Sequence, residues 1–260
     1  MSINKKKSIL AIILARGGSK AIPKKNISLL NGHPLIAYTI GEANRSKMIS
    51  EIIVSSDSKE IRTMSIQYGA LAPFMRPKEL STDKAKPVEC DLHATKYMEK
   101  KLNKKYDYVV ELLCTNPFKI AEDIDNALKL QIKTDADSVI GVMRLDDHHP
   151  IRIKKLENGY IRNFVFDEIP ESRRQDLKPD AYIRNGSIYS MRRDMLEKKI
   201  RYGTSNSIAY VMPRERTLNI DEPMDLTIAQ FLMKNNPRNY IMPIMGYEEA
   251  VKKLNNIENE

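Results

Sequence analysis

The 260-residue chain is 42% hydrophobic, with 43 Lys and Arg against 34 Asp and Glu and a formal net charge of +9. That apolar content suffices for a core of ordinary size and excludes a disordered chain. No apolar run approaches the roughly 20 residues that span a bilayer, and the opening Met1 to Lys7 lacks the apolar stretch and cleavage site of a signal peptide, so a cytoplasmic protein without membrane contact is expected.

The first half alternates short apolar runs with amphipathic segments, the rhythm of a parallel sheet with crossover helices. Ser8 to Leu14 reads as a buried strand, Pro34 to Arg45 as a helix, Glu51 to Ser55 as a strand and Lys59 to Tyr68 as a helix. Pro87 to Asn103 follows as a longer helix, Asp107 to Leu113 as a strand, Glu122 to Lys133 as a helix with acidic residues suited to its N-terminal dipole, and Ser138 to Met143 as a strand. From Arg144 the rhythm breaks. Ile151 to Lys154, the turn at Glu157-Asn-Gly159 and Tyr160 to Phe166 read as an antiparallel hairpin, followed by a polar loop from Asp167 to Pro179. Ala181 to Ser190 and Ser207 to Met212 return to strand character, Met224 to Lys234 is a last helix, and the polar segment from Asn235 reads as loosely attached. The expectation is an α/β fold of three layers: a core domain over residues 1–144 and 181–234, an inserted subdomain over 145–180 and a tail over 235–260.

The segment Leu14-Ala-Arg-Gly-Gly-Ser-Lys-Ala-Ile-Pro-Lys-Lys-Asn26 follows the first strand, at the edge where open parallel sheets bind ligands. Glycines let backbone amides approach anionic oxygens, Arg16 can donate as a fork, and Lys20 and Lys25 can act as mobile charges on phosphates. The bland alternative is a Gly-rich turn with solvated cations. Neither Gly-x4-Gly-Lys-Ser/Thr nor Gly-x-Gly-x-x-Gly is present, so the Walker loop and the dinucleotide fingerprint are excluded.

Cys90 and Cys114 stand far apart with no CxxC or Cys/His spacing, so neither a disulfide framework nor a zinc site is indicated, and His148-His149-Pro150 lacks a third ligand. The lysines are spread through mixed-sign stretches such as Glu99 to Lys105, and no aromatic interleaving accompanies them. Nucleic acid is therefore not the expected partner.

The first loop resembles the signature of the acylneuraminate cytidylyltransferases, Leu-Ala-Arg-x-x-Ser-Lys-Gly-x-Pro-x-Lys-Asn, with Ala21 in place of the glycine. The resemblance continues in order through Val54-Ser-Ser-Asp57, Arg76-Pro-Lys-Glu-Leu80 with Ser81-Thr-Asp83, Glu111 to Lys119, His148-His149-Pro150, Arg174-Gln175, Arg184-Asn185-Gly186-Ser-Ile-Tyr189 and Ile220-Asp221-Glu-Pro-Met-Asp225. It implies a mostly parallel, Rossmann-like nucleotidyltransferase sheet with a small antiparallel insertion that forms a homodimer contact and reaches the neighbouring active site. The implied reaction is attack by the anomeric hydroxyl of a nonulosonic, sialic-like sugar acid on the α-phosphate of CTP, giving the CMP-sugar and pyrophosphate with Mg²⁺ as cofactor.

The same resemblance assigns Leu14, Ala15, Arg16, Ser19, Lys20, Lys25, Asn26, Arg76 and Asp83 to the nucleotide, with Arg16, Lys20, Lys25 and Asp221 catalytic. It places Leu113, Thr115, Arg174, Gln175, Asn185 and Tyr189 at the acceptor and Asp221 and Asn219 at the metal. Structural alternatives stand beside these roles: a surface residue for Arg76, a helix cap for Asp83 or Asp221, a solvated loop residue for Arg174. Two departures fall where the family binds sugar and metal. Leu113 replaces a glutamine, with Cys114, Asn116 and Lys119 also differing nearby, and Asn219-Ile-Asp221 replaces Asp-Ile-Asp. A regulatory nucleotide-binding protein, a cytidylyltransferase for another acidic acceptor such as 3-deoxy-manno-octulosonate, and a nucleic-acid binder are the competing readings.

Overall fold

The computed structural model describes residues 7–167 and 173–259; parts of the N-terminal segment, of the loop from Asp167 to Pro179 and of the tail lie outside the described residues. In chain order the elements are β1 (Ile9–Leu14), a small hairpin of β2 (Leu29–Leu30) and β3 (His33–Pro34), α1 (Leu35–Arg45), β4 (Glu51–Ser55), α2 (Lys59–Gln67), α3 (Pro87–Lys101), β5 (Tyr108–Leu112), α4 (Ala121–Thr134) and β6 (Ser138–Leu145). Then come β7 (Lys154–Glu157), β8 (Tyr160–Asn163), β9 (Ala181–Arg192), α5 (Arg193–Glu197), β10 (Ser207–Val211), α6 (Pro223–Asn235) and α7 (Tyr247–Asn259).

The main sheet has the order β10-β6-β9-β5-β1-β4. Strands β4, β1 and β5 are parallel, as are β6 and β10, and β9 runs antiparallel between the two groups. β1 shows why three layers form. Its alternate residues Ile9, Ala11 and Ile13 enter a core with α1, α4 and α6, while Leu10 and Ile12 enter a second core with α3 and α5. A strand with both faces buried must be apolar throughout, which is how β1 reads.

Helix ends follow local chemistry. Ser58 caps α2 by accepting the Ile61 N–H at 3.4 Å, and Asp123 closes the start of α4 by accepting the Ile120 N–H at 3.1 Å. Pro87 and Pro223 occupy first-turn positions of α3 and α6, where a missing N–H costs nothing.

The tail departs from expectation. It is fastened at two places, because Arg238 donates to Glu42 Oε1 at 2.8 Å and to the carbonyls of Pro117, Phe118 and Lys119, while Ala250 and Leu254 of α7 bury against Ile66 and Ala72. Arg62 pairs with Glu258 at 2.5 Å beside that contact. The insertion does form a hairpin, β7 with β8, although its first strand begins at Lys154 because Pro150–Arg152 turn as a 3-10 helix.

Candidate active site

A cleft of ≈ 470 Å³ opens at the carboxyl ends of β1 and β5 on the α3 face, lined by the first loop, by residues 80–87 and by Glu111, Leu113, Cys114 and Thr115. Gly17 starts the loop. Its N–H donates to Asp57 Oδ1 at 2.8 Å, and a Cβ there would stand 3.1 Å from Ser58 Cβ, so only glycine fits comfortably. Ala21 is not among the residues with positive φ, so the loop accepts alanine where the related signature has glycine. Leu14 and Ser19 line the cleft, whereas Ala15 is buried in the core and its N–H bonds to Ser55 O at 3.1 Å.

Asn26 staples the loop. Its Nδ2 donates to the Arg16 carbonyl at 2.9 Å and its Oδ1 accepts from Cys114 Sγ at 2.9 Å. Burial pushes the Cys114 thiol up to about 11, so it serves as a neutral donor. Arg16 NH1 and Lys20 Nζ hold the two oxygens of Asp83 at 2.5 and 2.7 Å, and this pair, Lys20 first, draws the Asp83 carboxyl below its ordinary range. Asp83 does not cap α3; Lys86 occupies that position. Arg76 is no surface residue either: it is buried, donates Nε to Ser81 Oγ at 3.2 Å and faces the cleft.

Lys25 links the loop to the segment before α6, reaching the Ile220 carbonyl at 2.8 Å and Asp221 Oδ1 at 2.9 Å. Asp221 leaves the capping of α6 to Glu222 and Asp225; the Asp225 carboxylate accepts the N–H groups of both Asp221 and Glu222. Asn219 Nδ2 donates to Asp221 Oδ2, while Asn219 Oδ1 is buried without a hydrogen-bond partner. Gly186, at φ 62, leaves room for that amide, since a Cβ would approach Oδ1 to 3.3 Å.

Of the expected acceptor residues, Leu113 and Thr115 line the cleft and four do not. Arg174 pairs with Asp146 Oδ2 at 2.9 Å and lies with Gln175 in a separate depression bordered by Arg144 and Asp146, so the single chain does not bring them to the cleft. Asn185 is turned into the core at a register shift of β9 against β6, where its Nδ2 meets Met212 Sδ at 3.0 Å. Tyr189 is buried beneath Arg201, whose guanidinium carbon lies 3.6 Å from its ring centre.

Sequence reading missed two groups. Glu111 lines the cleft and takes Arg201 on Oε2, from Nε at 2.6 Å and NH2 at 2.5 Å, with Asp91 of α3 behind it. Burial raises both carboxyls from their ordinary values. Lys119 is wholly buried, donating to Thr39 Oγ1 at 3.0 Å, to Leu113 O at 2.7 Å and to Asn116 O, and burial draws its ammonium down to about 7. Even spacing offered one signal: Glu111 shares a strand face with Leu113.

The family described as cytidylyltransferase matches residues 10–211. The chain belongs to that family. It is 35% identical over 229 residues to the pseudaminic acid cytidylyltransferase of Campylobacter jejuni subsp. jejuni serotype O:23/36 (strain 81-176), covering 87% of this chain and 97% of that one. Against the CMP-N,N'-diacetyllegionaminic acid synthase of Legionella pneumophila subsp. pneumophila the identity is 31%, with 88% and 97% covered. Against the N-acylneuraminate cytidylyltransferase of Escherichia coli O18:K1:H7 it is 32%, covering 97% of this chain and 58% of the relative. Among solved structures, the CMP:2-keto-3-deoxy-manno-octonic acid synthetase complexed with CTP aligns with a TM-score of 0.63 at 16% identity, over 88% of this chain and 99% of that one. The 4-diphosphocytidyl-2C-methyl-D-erythritol synthase of Anaerococcus prevotii DSM 20548 aligns at 0.57 and 18% identity, covering 88% and 100%. At such identities the two structures speak for the fold alone. As a cytidylyltransferase the protein is a nucleotidyltransferase enzyme, and no helix among the described residues is long and apolar enough to cross a membrane.

Proposed function

We propose that this cytidylyltransferase activates a nonulosonic sugar acid with CTP. The anomeric oxygen of the acid forms a bond to the α-phosphorus, the bond from that phosphorus to the bridging oxygen breaks, pyrophosphate leaves and the hydroxyl proton passes to solvent. The observation that carries the reading is the Lys25 bridge: one ammonium from the cleft wall joins the first loop to Asp221. Arg16, Ser19, Lys20 and Lys25 meet the triphosphate once Asp83 yields its two cations, with Asn26 bracing the loop and Arg76 on the base side. Such transfer depends on positioning and charge neutralisation more than on covalent work by the protein.

The residues present fit Mg²⁺. Asp221 is an exposed carboxylate and Asn219 Oδ1 is an orphaned buried oxygen beside it, both hard donors of the kind Mg²⁺ takes one or two of. Among the described residues no cluster of three or more His, Cys, Asp or Glu side chains could hold a metal, so Asp221 and Asn219 would hold the ion only together with bound substrate. Held there, it would neutralise charge on the phosphates. The working unit is a cytoplasmic homodimer in which the insertion carries Arg174 and Gln175 to the neighbouring cleft.

Incubation with CTP, Mg²⁺ and a panel comprising pseudaminic, N,N'-diacetyllegionaminic and N-acetylneuraminic acids should release pyrophosphate with at least one. Release from none of them, with CTP binding intact by calorimetry, sinks the proposal.

A further inference from the structure

Leu113 gives the cleft wall an apolar side chain with no hydrogen-bonding group. Two residues earlier on the same strand face stands Glu111, 2% exposed overall yet lining the cleft. In the sheet it stands between Ile12 of β1 and Tyr189 of β9, on a strand face shared with Leu113. The first loop follows β1, Arg76 bonds by its N–H to Ser56 O just past β4, and both line the same cleft as Glu111.

The carboxylate is held in a defined way. A glutamate has about four lone-pair sites. Arg201 occupies two on Oε2 with Nε and NH2, and Arg201 is itself fixed by stacking on Tyr189. Asp91 is fully buried, and no described residue donates an N–H or O–H to either of its oxygens. Its immediate neighbour is Glu111. Burial, and next the neighbouring Glu111 charge, raise the Asp91 carboxyl well above its ordinary range, which favours its protonated form beside Glu111. Both Arg201 contacts fall on Oε2, and the open side of Glu111 is the cleft.

We propose that Glu111, held by Arg201 and by Asp91, is a specificity-determining residue that accepts a hydrogen bond from a hydroxyl or amide N–H of the acceptor sugar acid. It rests on the function proposed above. A buried acceptor held this rigidly rejects ligands that lack the matching donor, because its carboxylate would be desolvated with a site unfilled.

The test is steady-state kinetics of the full chain with Glu111→Gln and Glu111→Asp, using CTP, Mg²⁺ and the three nonulosonic acids, with 2-keto-3-deoxy-manno-octonic acid as an acceptor bearing hydroxyls but no amide. Glu111→Gln keeps the shape and loses the charge; Glu111→Asp keeps the charge and withdraws it by one methylene. Each should raise the acceptor KM roughly tenfold, the loss of one hydrogen bond to a charged group, while the KM for CTP stays within about twofold. If the amide-bearing acids suffer and the octonic acid does not, the donor is an amide N–H; an equal loss for all assigns a shared hydroxyl. An unchanged acceptor KM in folded variants overturns the role, as does a rise in the CTP KM alone, which would put Glu111 on the base. Wild-type protein that turns over no acid overturns the acceptor assignment and this role together, whereas active wild type with insensitive variants overturns the role alone.

Discussion

Lys25 and Cys114 show how single atoms set the first loop. Lys25 Nζ links that loop to Asp221 at 2.9 Å, so in the proposed reaction its loss removes both a charge for the leaving phosphates and a tie to the Asp221 segment. Lys25→Met should lower kcat about 100-fold, the scale of one lost transition-state donor, with thermal stability nearly unchanged; single-turnover measurement of pyrophosphate release checks it, and a kcat within twofold of wild type contradicts it. Cys114 acts one step back. Its thiol orients the Asn26 amide, which in turn holds the Arg16 carbonyl, so Cys114→Ala should raise the KM for CTP by roughly threefold to tenfold and leave the acceptor KM in place. Initial-rate kinetics over both substrates separate the two. The Asn26 loop was legible in the sequence because its residues are contiguous. The Asp91–Glu111–Arg201 group was not, since three residues 20 and 90 positions apart each read as an ordinary charge until α3, β5 and the segment after α5 bring them together.

At the scale of elements, the segment between β5 and α4 is held from two directions. Arg238 caps the carbonyls of Pro117, Phe118 and Lys119 and neutralises the buried Glu42, which also accepts from Tyr240 and Ala121. Leaving a buried charge without its partner costs about 3–5 kcal/mol, so Arg238→Met should destabilise the chain by about 3 kcal/mol in urea denaturation; a change under about 1 kcal/mol would show that this anchorage is superficial. Lys119 holds the segment from inside and adds a pH dependence. In the unfolded chain its amine keeps a proton up to the ordinary 10.5, whereas in the folded chain it releases it near 7. Between those values the unfolded state binds more protons, so stability rises with pH, by at most about 1.4 kcal/mol per unit from one group. Comparing denaturation midpoints at pH 7 and 9, Lys119→Met should remove that rise; an unchanged slope argues that Lys119 stays charged. The elements themselves were readable wherever an apolar run was continuous, as in β1, β4 and β5. Helix α7 was missed although Ala250, Leu254 and Ile257 stand at helical spacing, because a stripe that narrow gains its meaning only from the surface of α2 that covers it. The position of β9 between β5 and β6 was equally hidden: strand order is set by long-range packing, to which local periodicity is blind.

For the whole molecule, the insertion poses the largest question of stability. A two-stranded hairpin is marginal alone in water, yet β7 and β8 with the following residues expose Leu156, Tyr160, Ile161, Phe164, Val165 and Phe166, and Tyr182 and Ile183 of β9 are exposed as well. A large exposed apolar patch marks an interaction site. In the proposed homodimer a second copy supplies the cover, and the same contact would bring Arg174 and Gln175, which line a separate depression in their own chain, to the neighbouring cleft. Light scattering should therefore give twice the chain mass, and Ile161→Asp with Val165→Asp should give the monomer, since each buried charge opposes association strongly. The cleft of the monomer would retain Arg16, Lys25 and Arg76, so calorimetric CTP affinity should stay within about threefold of wild type. Turnover with the preferred acid should fall at least roughly 100-fold, because the neighbour's insertion no longer reaches the acceptor. A wild-type monomer, or a monomeric variant of full activity, would remove the second copy from the mechanism and leave the acceptor to the residues of one chain.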